Sequence, residues 1–431
     1  MDGEFGPDNL EFVVLSFEGP DQPYSQAGGL GVRVTHLTAT LARLGFVTHL
    51  FFVGDPELPG YEEREGGRLK LYRWCQWQSR YHRGGVYDNE NWKVSDFQET
   101  VPWYVTDRIV RPAAQAGKYV AIIAEEWHTA ETLARLSDSL NFLGMRDRCI
   151  LMWNANNDMS FHRMNWGRVS FVASLTAVSR YVKHQVRAMG YDAIVLPNGI
   201  PSSMLKKVPV GSVRLLRGAV ETDYLFFKIG RMDPDKGWLE ALDAMADLVR
   251  GGSRAVMLMK GGRHELHREH FLGHARWLGL AVREVRPPSA SLEDVVGAVQ
   301  EAAREADVID IQIFMPDTLL PTFYAAADAS LANSLYEPFG LVGLEAMASG
   351  GIAFVGSTGE DYAVGAQSAV VLDTGYGYEI AALARRLRAS PEWAASIRKQ
   401  ARKTAALFTW EKSIEIMLLK LPLMARQQGV A

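Results

Sequence analysis

Two carboxylates within residues 334–350, Glu337 and Glu345, suggest a binding site for a ligand that carries hydroxyl groups. Pro338 fits the first turn of a predicted helix, because its missing N–H costs nothing there, and Gly350 fits the C-terminal end of that helix. The helix would direct free backbone N–H groups and its positive dipole end toward whatever lies beside Glu337, where a phosphate group would bind. A nucleotide-sugar offers both features, a diphosphate for the N–H groups and sugar hydroxyls for the carboxylates.

A second segment, residues 230–237, places two cations in one predicted turn after an apolar strand. Arg231 and Lys236 are close enough in sequence for both side chains to converge on one point. Such a pair is a natural counter-charge for a departing diphosphate and can take the place of a metal ion. The alternative is a solvated loop in which Arg231 pairs with Asp233 or Asp235.

Glycines follow the first predicted strand and open the first predicted helix, in the segment Gly28-Gly29-Leu30-Gly31. Gly28 and Gly29 would allow a diphosphate to approach the backbone closely at the helix N-terminus. The spacing is not that of the dinucleotide-binding G-x-G-x-x-G motif, and a tight turn explains the segment about as well.

His128 follows an apolar strand predicted over residues 119–124, at the strand end where parallel sheets bind ligands. An imidazole in this position can hydrogen-bond a sugar hydroxyl near the reacting carbon. A single histidine is more often structural, so this position alone favours a structural role.

The elements that must position these residues alternate between strand and helix along the whole chain, which predicts parallel sheets. Two doubly wound halves follow, with a seam near residues 197–222, where prolines and glycines interrupt regular structure. Ligands in such folds bind beyond the carboxyl ends of the strands, so the cleft between the halves is the expected site. The predicted strands are 12–17, 47–53, 119–124, 150–153, 193–196, 224–229 and 255–259.

Length and composition exclude several classes of protein. At 431 residues the chain can form two or three domains, and its net charge of −4 gives no basic field for nucleic acid. No segment approaches the roughly 20 apolar residues of a membrane-spanning helix. Cys75 and Cys149 follow no metal-ligand spacing and suit a reducing compartment, so we expect a cytoplasmic protein.

Taken together, the motifs resemble those of the retaining GT-B glycosyltransferases, in particular the glycogen-synthase and sucrose-synthase-like group. The resemblance covers nearly the whole chain, and the segments Gly230–Gly237 and Glu337–Gly350 are its most specific parts. It implies two Rossmann-like doubly wound domains that face a central cleft, over residues 1–205 and 206–407, with a terminal helix, 408–431, that crosses back to the first domain. The segments that carry it are Gly28–Gly31, Trp127–Ala130, Thr176–Ser179, Pro197–Gly199, Gly230–Gly237 and Glu337–Gly350.

The resemblance also implies roles for individual residues in the second domain. Arg231 and Lys236 would bind the diphosphate, and Glu337 would hold hydroxyls of the donor sugar. Glu345 would hold the ribose hydroxyls. The backbone of the segment Phe339, Gly340 and Leu341 would complete the donor site.

In the first domain, the resemblance implies that Gly28 and Gly29 approach the phosphates and that His128 touches the donor sugar near its reacting carbon. The implied reaction moves a hexosyl group from a nucleoside-diphosphate sugar to a hydroxyl of a sugar, an oligosaccharide or a small metabolite. The configuration at the anomeric carbon is retained, and the scheme requires neither a metal ion nor another cofactor.

The chain departs from the family pattern at three points. Gln26 and Ala27 stand where bacterial glycogen synthases carry Lys-Thr, Glu345 is an acid that those enzymes usually lack, and Glu360 replaces one of two typical adjacent glycines. A transferase with a smaller or different acceptor therefore fits better than a glycogen- or starch-synthase-type glucan elongase. The same motifs would also fit a GT-B-like epimerase or phosphorylase, or a non-catalytic sugar sensor.

Overall fold

The computed structural model of the protein describes residues 5–25, 28–262, 265–316 and 318–430, and Gln26 and Ala27 lie outside the described residues. The chain divides into two compact units, Met1–Gly199 with Trp410–Ala431 and, between them, Ile200–Thr409. The sequence-based boundaries were placed at 205/206 and 407/408, whereas the units of the structure change at 199/200 and 409/410.

Unit 1 is built on an eight-stranded sheet in the order β3-β4-β2-β1-β5-β6-β7-β8. Neighbouring strands are parallel, except that β3 pairs with β4 antiparallel. The central strands are continuous apolar runs because helices cover both faces of the sheet. The strands are β1 Leu10–Leu15, β2 Thr48–Val53, β3 Tyr61–Arg64, β4 Leu69–Trp74, β5 Tyr119–Glu125, β6 Cys149–Ala155, β7 Ser174–Ala177 and β8 Ile194–Val195. The α-helices that accompany them are α1 Gln22–Ser25, α2 Gly29–Arg43, α3 Gln76–Ser79, α4 Glu90–Val105, α5 Arg111–Gln115, α6 Glu126–Phe142, α7 Trp166–Val172 and α8 Arg180–Ala188.

Unit 2 is built on a seven-stranded parallel sheet in the order β11-β12-β10-β9-β13-β14-β15. Its core lies where α10 and α15 pack beside each other over the strands. The strands are β9 Tyr224–Gly230, β10 Ala255–Gly261, β11 Val282–Val285, β12 Val308–Ile311, β13 Ala329–Ala332, β14 Ala353–Val355 and β15 Val370–Val371. The α-helices are α9 Val210–Gly218, α10 Trp238–Arg250, α11 Glu265–Trp277, α12 Leu292–Ala302, α13 Leu320–Ala326, α14 Leu341–Ala348, α15 Gly377–Ala389 and α16 Pro391–Ala405.

The last helix, α17 (Trp410–Gln427), belongs to the core of unit 1. Its buried side chains, among them Trp410, Ile414 and Leu421, join one apolar cluster with residues of α2, β1 and β2. The two ends of the chain therefore build the same unit. Within the described residues, no helix is both long enough and apolar enough to cross a membrane.

Candidate functional site

The turn after β9 brings Lys236 to Glu337, which lies a hundred residues further along the chain. Lys236 ends a short 3-10 helix, Pro234–Lys236, and Gly237 follows with a left-handed φ of 64°. A Cβ at Gly237 would lie 2.2 Å from the carbonyl oxygen of Asn333, so only glycine fits this close approach. The turn that carries Lys236 is thus packed closely against the loop after β13.

Lys236 forms an ion pair with each of two carboxylates. Its Nζ lies 2.8 Å from Oε2 of Glu337 and 3.0 Å from Oδ2 of Asp235. Burial acts to lower the pKa of Lys236, but the two carboxylates outweigh it and the pKa is raised above its ordinary value. Lys236 is therefore a cation at neutral pH.

Helix α14 begins directly beside this pair, at Leu341 rather than in the turn of Pro338 that was predicted from the sequence. The reason is Gly340, whose φ of 80° cannot continue a right-handed helix. Gly340 is the N-cap residue and supplies no side-chain hydrogen bond to the first N–H groups of α14. The positive end of the helix dipole therefore lies next to Glu337. The predicted end of the helix agrees with the structure, in which Gly350 has a φ of 82°.

Arg231 does not join Lys236 in this structure. Its Nε lies 3.1 Å from Oδ2 of Asp233, and two thirds of its side chain is exposed. This arrangement is the solvated loop that was the alternative interpretation of the segment, and the expected convergence of the two cations is not seen.

Phe339 and Glu345 are held by contacts inside unit 2. Phe339 is buried and packs against the rings of Tyr362 and Phe408, which leaves only its backbone for a ligand. Glu345 lies in the second turn of α14, where its Oε2 accepts a hydrogen bond of 3.0 Å from the hydroxyl of Tyr324. Its orientation is thus set by a neighbouring helix.

Glu360, which the sequence marked only as a departure from the family pattern, lies immediately behind Gly340. It is 7% exposed, and a Cβ at Gly340 would lie 2.9 Å from its Cγ. Its Oε2 accepts a 3.0 Å hydrogen bond from the N–H of Thr358, whereas its buried Oε1 has no hydrogen-bond partner among the described residues. Burial, with a contribution from Glu337, raises the pKa of Glu360 to about 7.

Lys228 is a second buried group beneath the turn, and it was not predicted as a site residue. Its Nζ donates to Oδ1 of Asn333 at 2.6 Å and to the carbonyl oxygen of Leu331 at 3.2 Å. Asn333 in turn donates to the carbonyl oxygen of Gly237. Burial lowers the pKa of Lys228 to about 7. The sequence signal that could have identified Lys228 is a charged residue within an otherwise apolar strand.

In unit 1, the glycine segment opens α2, as was expected from the sequence. A Cβ at Gly28 or Gly29 would meet nothing within 4 Å, so the space beside this backbone is open. The N–H of Gly31 donates to Oε2 of Glu18 at 2.7 Å, so a carboxylate of the protein already faces this helix N-terminus. Glu18 was missed because thirteen residues separate it from Gly31.

His128 lies in the first turns of α6 and is 6% exposed. Its ring stacks on Phe17 with 4.4 Å between ring centroids, and its Nε2 lies 2.9 Å from Oε1 of Glu90. Burial lowers the pKa of His128, although Glu90 acts in the opposite direction. The position of His128 at a strand end was predicted, but its carboxylate partner was not.

The two acids before His128 form a buried polar network that was also missed. Glu125 is paired with Nε of Arg33 at 3.1 Å. Glu126 has a left-handed φ of 64°, and its Oε1 accepts the N–H groups of Asn156 and Asn157 at 2.7 and 3.2 Å. Burial raises the pKa of Glu126 to about 8. The sequence signal that could have identified this network is the pair of adjacent acids at the end of a strand.

Comparison with known proteins agrees with this architecture. Residues 293–404 match the family model described as glycosyl transferases group 1. Sucrose-phosphate synthase from Thermosynechococcus elongatus superposes with a TM-score of 0.67 at 20% identity, over 97% of this chain and 100% of the other. No curated protein matches the chain in sequence.

Two further solved structures share the fold. The catalytic domain of starch synthase IV from Arabidopsis thaliana, bound to ADP and acarbose, gives a TM-score of 0.66 at 16% identity over 98% of this chain and 100% of the other. HepE from Anabaena, in complex with UDP-glucose, gives a TM-score of 0.63 at 15% identity over 96% of this chain and 99% of the other. The predicted GT-B fold is confirmed, and residues 293–404 of the chain match the group 1 glycosyl transferase family model.

Proposed function

We propose that the protein transfers a hexosyl group from a nucleoside-diphosphate sugar to a hydroxyl acceptor, with retention at the anomeric carbon. The observation that carries this proposal is the ion pair of Lys236 and Glu337 in front of the free N-terminus of α14. It places a cation and N–H donors, which suit a diphosphate, beside a carboxylate, which suits sugar hydroxyls. The complexes of HepE with UDP-glucose and of starch synthase IV with ADP support a donor of this class.

The charges of the site suggest how the donor would be held. When the diphosphate enters, Lys236 would exchange its carboxylate partners for phosphate oxygens. Glu337, released from that pair, would accept hydrogen bonds from the sugar, and Glu345 would accept them from the ribose. Arg231 is exposed at the same turn and would have to leave Asp233 to contribute.

The proposed step needs no nucleophile from the protein. The acceptor oxygen bonds to the anomeric carbon as the bond between that carbon and the diphosphate oxygen breaks, and the acceptor proton passes to the departing diphosphate. Lys236 and the N-terminus of α14 would stabilise the negative charge that develops there, so the scheme requires no metal ion or other cofactor. The roles of Gly28, Gly29 and His128 in unit 1 stay predictions.

Thermal unfolding in the presence of a panel of nucleoside diphosphates and their sugars tests the donor site. A ligand at 100 times its dissociation constant adds about 2.7 kcal/mol to the free energy of unfolding. We expect at least one nucleoside diphosphate or its sugar to stabilise the wild type. This stabilisation should be lost in Lys236→Met and retained in Lys399→Met, which changes an exposed lysine of α16. An absence of stabilisation by every compound would contradict the proposal.

One observation favours a second candidate, a non-catalytic sugar-binding protein. Glu360 fills the space behind Gly340 with a carboxyl group, where the family pattern has a glycine. This candidate predicts binding of a nucleotide-sugar without turnover, whereas the leading proposal predicts both.

A further inference from the structure

A cavity in unit 2, distinct from the Lys236–Glu337 pair, opens at the carboxyl ends of three adjacent strands. Asn333 and Ser334 line it after β13, Ser357 after β14, and Asp373 and Thr374 after β15. This edge of a parallel sheet is where ligands bind in α/β proteins. Ser334 and Leu335, which line the cavity, precede Glu337 in the same loop, whereas Glu337 itself does not line it.

Two carboxylate residues form part of the wall of this cavity. Glu240 of α10 lines it, and the buried Oε2 of Glu240 has no hydrogen-bond partner among the described residues. A buried acceptor without a partner is costly, and a ligand hydroxyl would satisfy it. Asp373 adds a second, exposed carboxylate.

The loop after β15 is fixed before any ligand binds. The N–H groups of Asp373 and Thr374 donate to the carboxylate of Glu379 at 2.9 and 2.8 Å, and the Thr374 hydroxyl donates to it at 2.7 Å. These three bonds hold one wall of the cavity in place. A preformed wall lowers the entropy that a ligand must lose on binding.

An aromatic face stands at the rim of the cavity. Tyr376 lines the cavity and is 63% exposed, and its ring stacks on that of Tyr378 with 5.5 Å between centroids and 14° between planes. The C–H groups on one face of a pyranose ring carry partial positive charge, which matches the negative face of an aromatic ring. The two stacked tyrosines therefore offer an exposed aromatic face to a sugar.

The charge of the lining selects against phosphorylated ligands. The described residues that line the cavity include two carboxylates, Glu240 and Asp373, and no lysine or arginine. An anionic group would meet repulsion without a counter-charge on the cavity wall. The chemistry that remains is that of an uncharged, polyhydroxylated ring.

We propose that this cavity is a second carbohydrate site, which binds one pyranose ring of an uncharged saccharide against Tyr376 with its hydroxyls on Glu240. The site goes beyond the proposed transfer reaction, because it does not require the nucleotide. Saturation-transfer-difference NMR with methyl α-glucoside, maltose and sucrose tests it in the absence of nucleotide. We expect saturation transfer to the ring protons, about tenfold weaker affinity in Tyr376→Ala and in Glu240→Gln, and no competition by glucose 6-phosphate.

Trp277→Ala is the matched control, because Trp277 is an exposed aromatic residue elsewhere in unit 2 and its loss should leave saccharide binding unchanged. Stabilisation by nucleoside diphosphates should persist in Tyr376→Ala, which separates this test from that of the donor site. The proposal is overturned if none of the three saccharides binds, or if Tyr376→Ala and Glu240→Gln bind them as the wild type does. Loss of binding in Lys236→Met alone would assign the saccharide to the donor site and would also overturn the proposal.

Discussion

Glu337 combines two tasks that a substitution can separate. It holds Lys236 in the free protein, and in the proposed reaction it binds the donor sugar. Glu337→Gln keeps the shape but removes the charge, so we expect turnover to fall by about 10²-fold or more. Nucleoside-diphosphate affinity should be kept or improved, because Lys236 loses a competing carboxylate.

Steady-state rates and calorimetric titration of the nucleoside diphosphate check this prediction. Glu392→Gln, a change of an exposed acid on α16, should alter neither quantity. Equal loss of affinity and of rate in Glu337→Gln would assign the residue to binding the nucleotide rather than the sugar.

Glu360 predicts a pH-dependent stability. Its pKa is raised from 4.5 to about 7 in the folded protein, so the folded state binds more protons than the unfolded state between these values. The contribution of Glu360 to the free energy of unfolding is therefore greatest below about pH 4.5, and falls as the pH rises through 7, by up to about 3 kcal/mol. Glu360→Gln is neutral at every pH and should remove this fall.

Denaturant unfolding at pH 5 and pH 8 measures the effect as the difference between variant and wild type. We expect the variant to gain stability relative to the wild type on going from pH 5 to pH 8. An identical difference at both pH values would show that the Glu360 carboxyl ionises as it does in the unfolded chain.

At the scale of elements, the start of α14 is the feature on which the proposed donor site depends. Gly340→Ala would force a Cβ into a left-handed conformation and bring it within about 3 Å of Glu360, Tyr362 and Glu337. We expect a loss of about 1–3 kcal/mol in the free energy of unfolding and weaker nucleoside-diphosphate binding.

Gly297→Ala in α12 is the control, because that glycine is helical and a Cβ there meets nothing within 4 Å. The free energy of unfolding of this variant should exceed that of the wild type by about 0.5–1 kcal/mol. Thermal unfolding and nucleotide titration of the two variants compare the effects. Unchanged stability and binding in Gly340→Ala would mean that the helix can begin elsewhere without cost.

The sequence was sufficient for elements whose signal is local. Of the fifteen strands in the described residues, seven were predicted within about two residues, namely β1, β2, β5, β6, β8, β9 and β10, because a buried strand is a continuous apolar run; the other eight were not predicted. The start of α14 was misplaced because Pro338 is compatible with a first helical turn, and neither the positive φ of Gly340 nor the close approach of Glu360 to it is visible in the local sequence. Glu18 was not predicted for a similar reason, since its contact with the start of α2 is set by tertiary structure.

At the scale of the whole molecule, α17 shares the core of unit 1 with β1, β2 and α2, which predicts where a destabilising substitution in α17 will act. Leu421 is fully buried in the core of unit 1, so Leu421→Ala should lower the free energy of unfolding of that unit by about 2–5 kcal/mol. Hydrogen exchange followed by mass spectrometry should show faster exchange in β1, β2 and α2. Leu419→Ala, at a position that is 76% exposed, should leave exchange unchanged. Faster exchange confined to α17 would contradict the shared core.

The central claim is that the protein carries out retaining transfer from a nucleoside-diphosphate sugar. Proton NMR of the anomeric region tests it most directly, with the wild type, Lys236→Met and Glu337→Gln incubated with a panel of nucleotide-sugars and saccharide acceptors. The account predicts release of a nucleoside diphosphate and a new anomeric signal with the configuration of the donor in the wild type, and formation of both at least about 10²-fold more slowly in the two variants. A product of inverted configuration, or binding of the donor without any turnover, would contradict it.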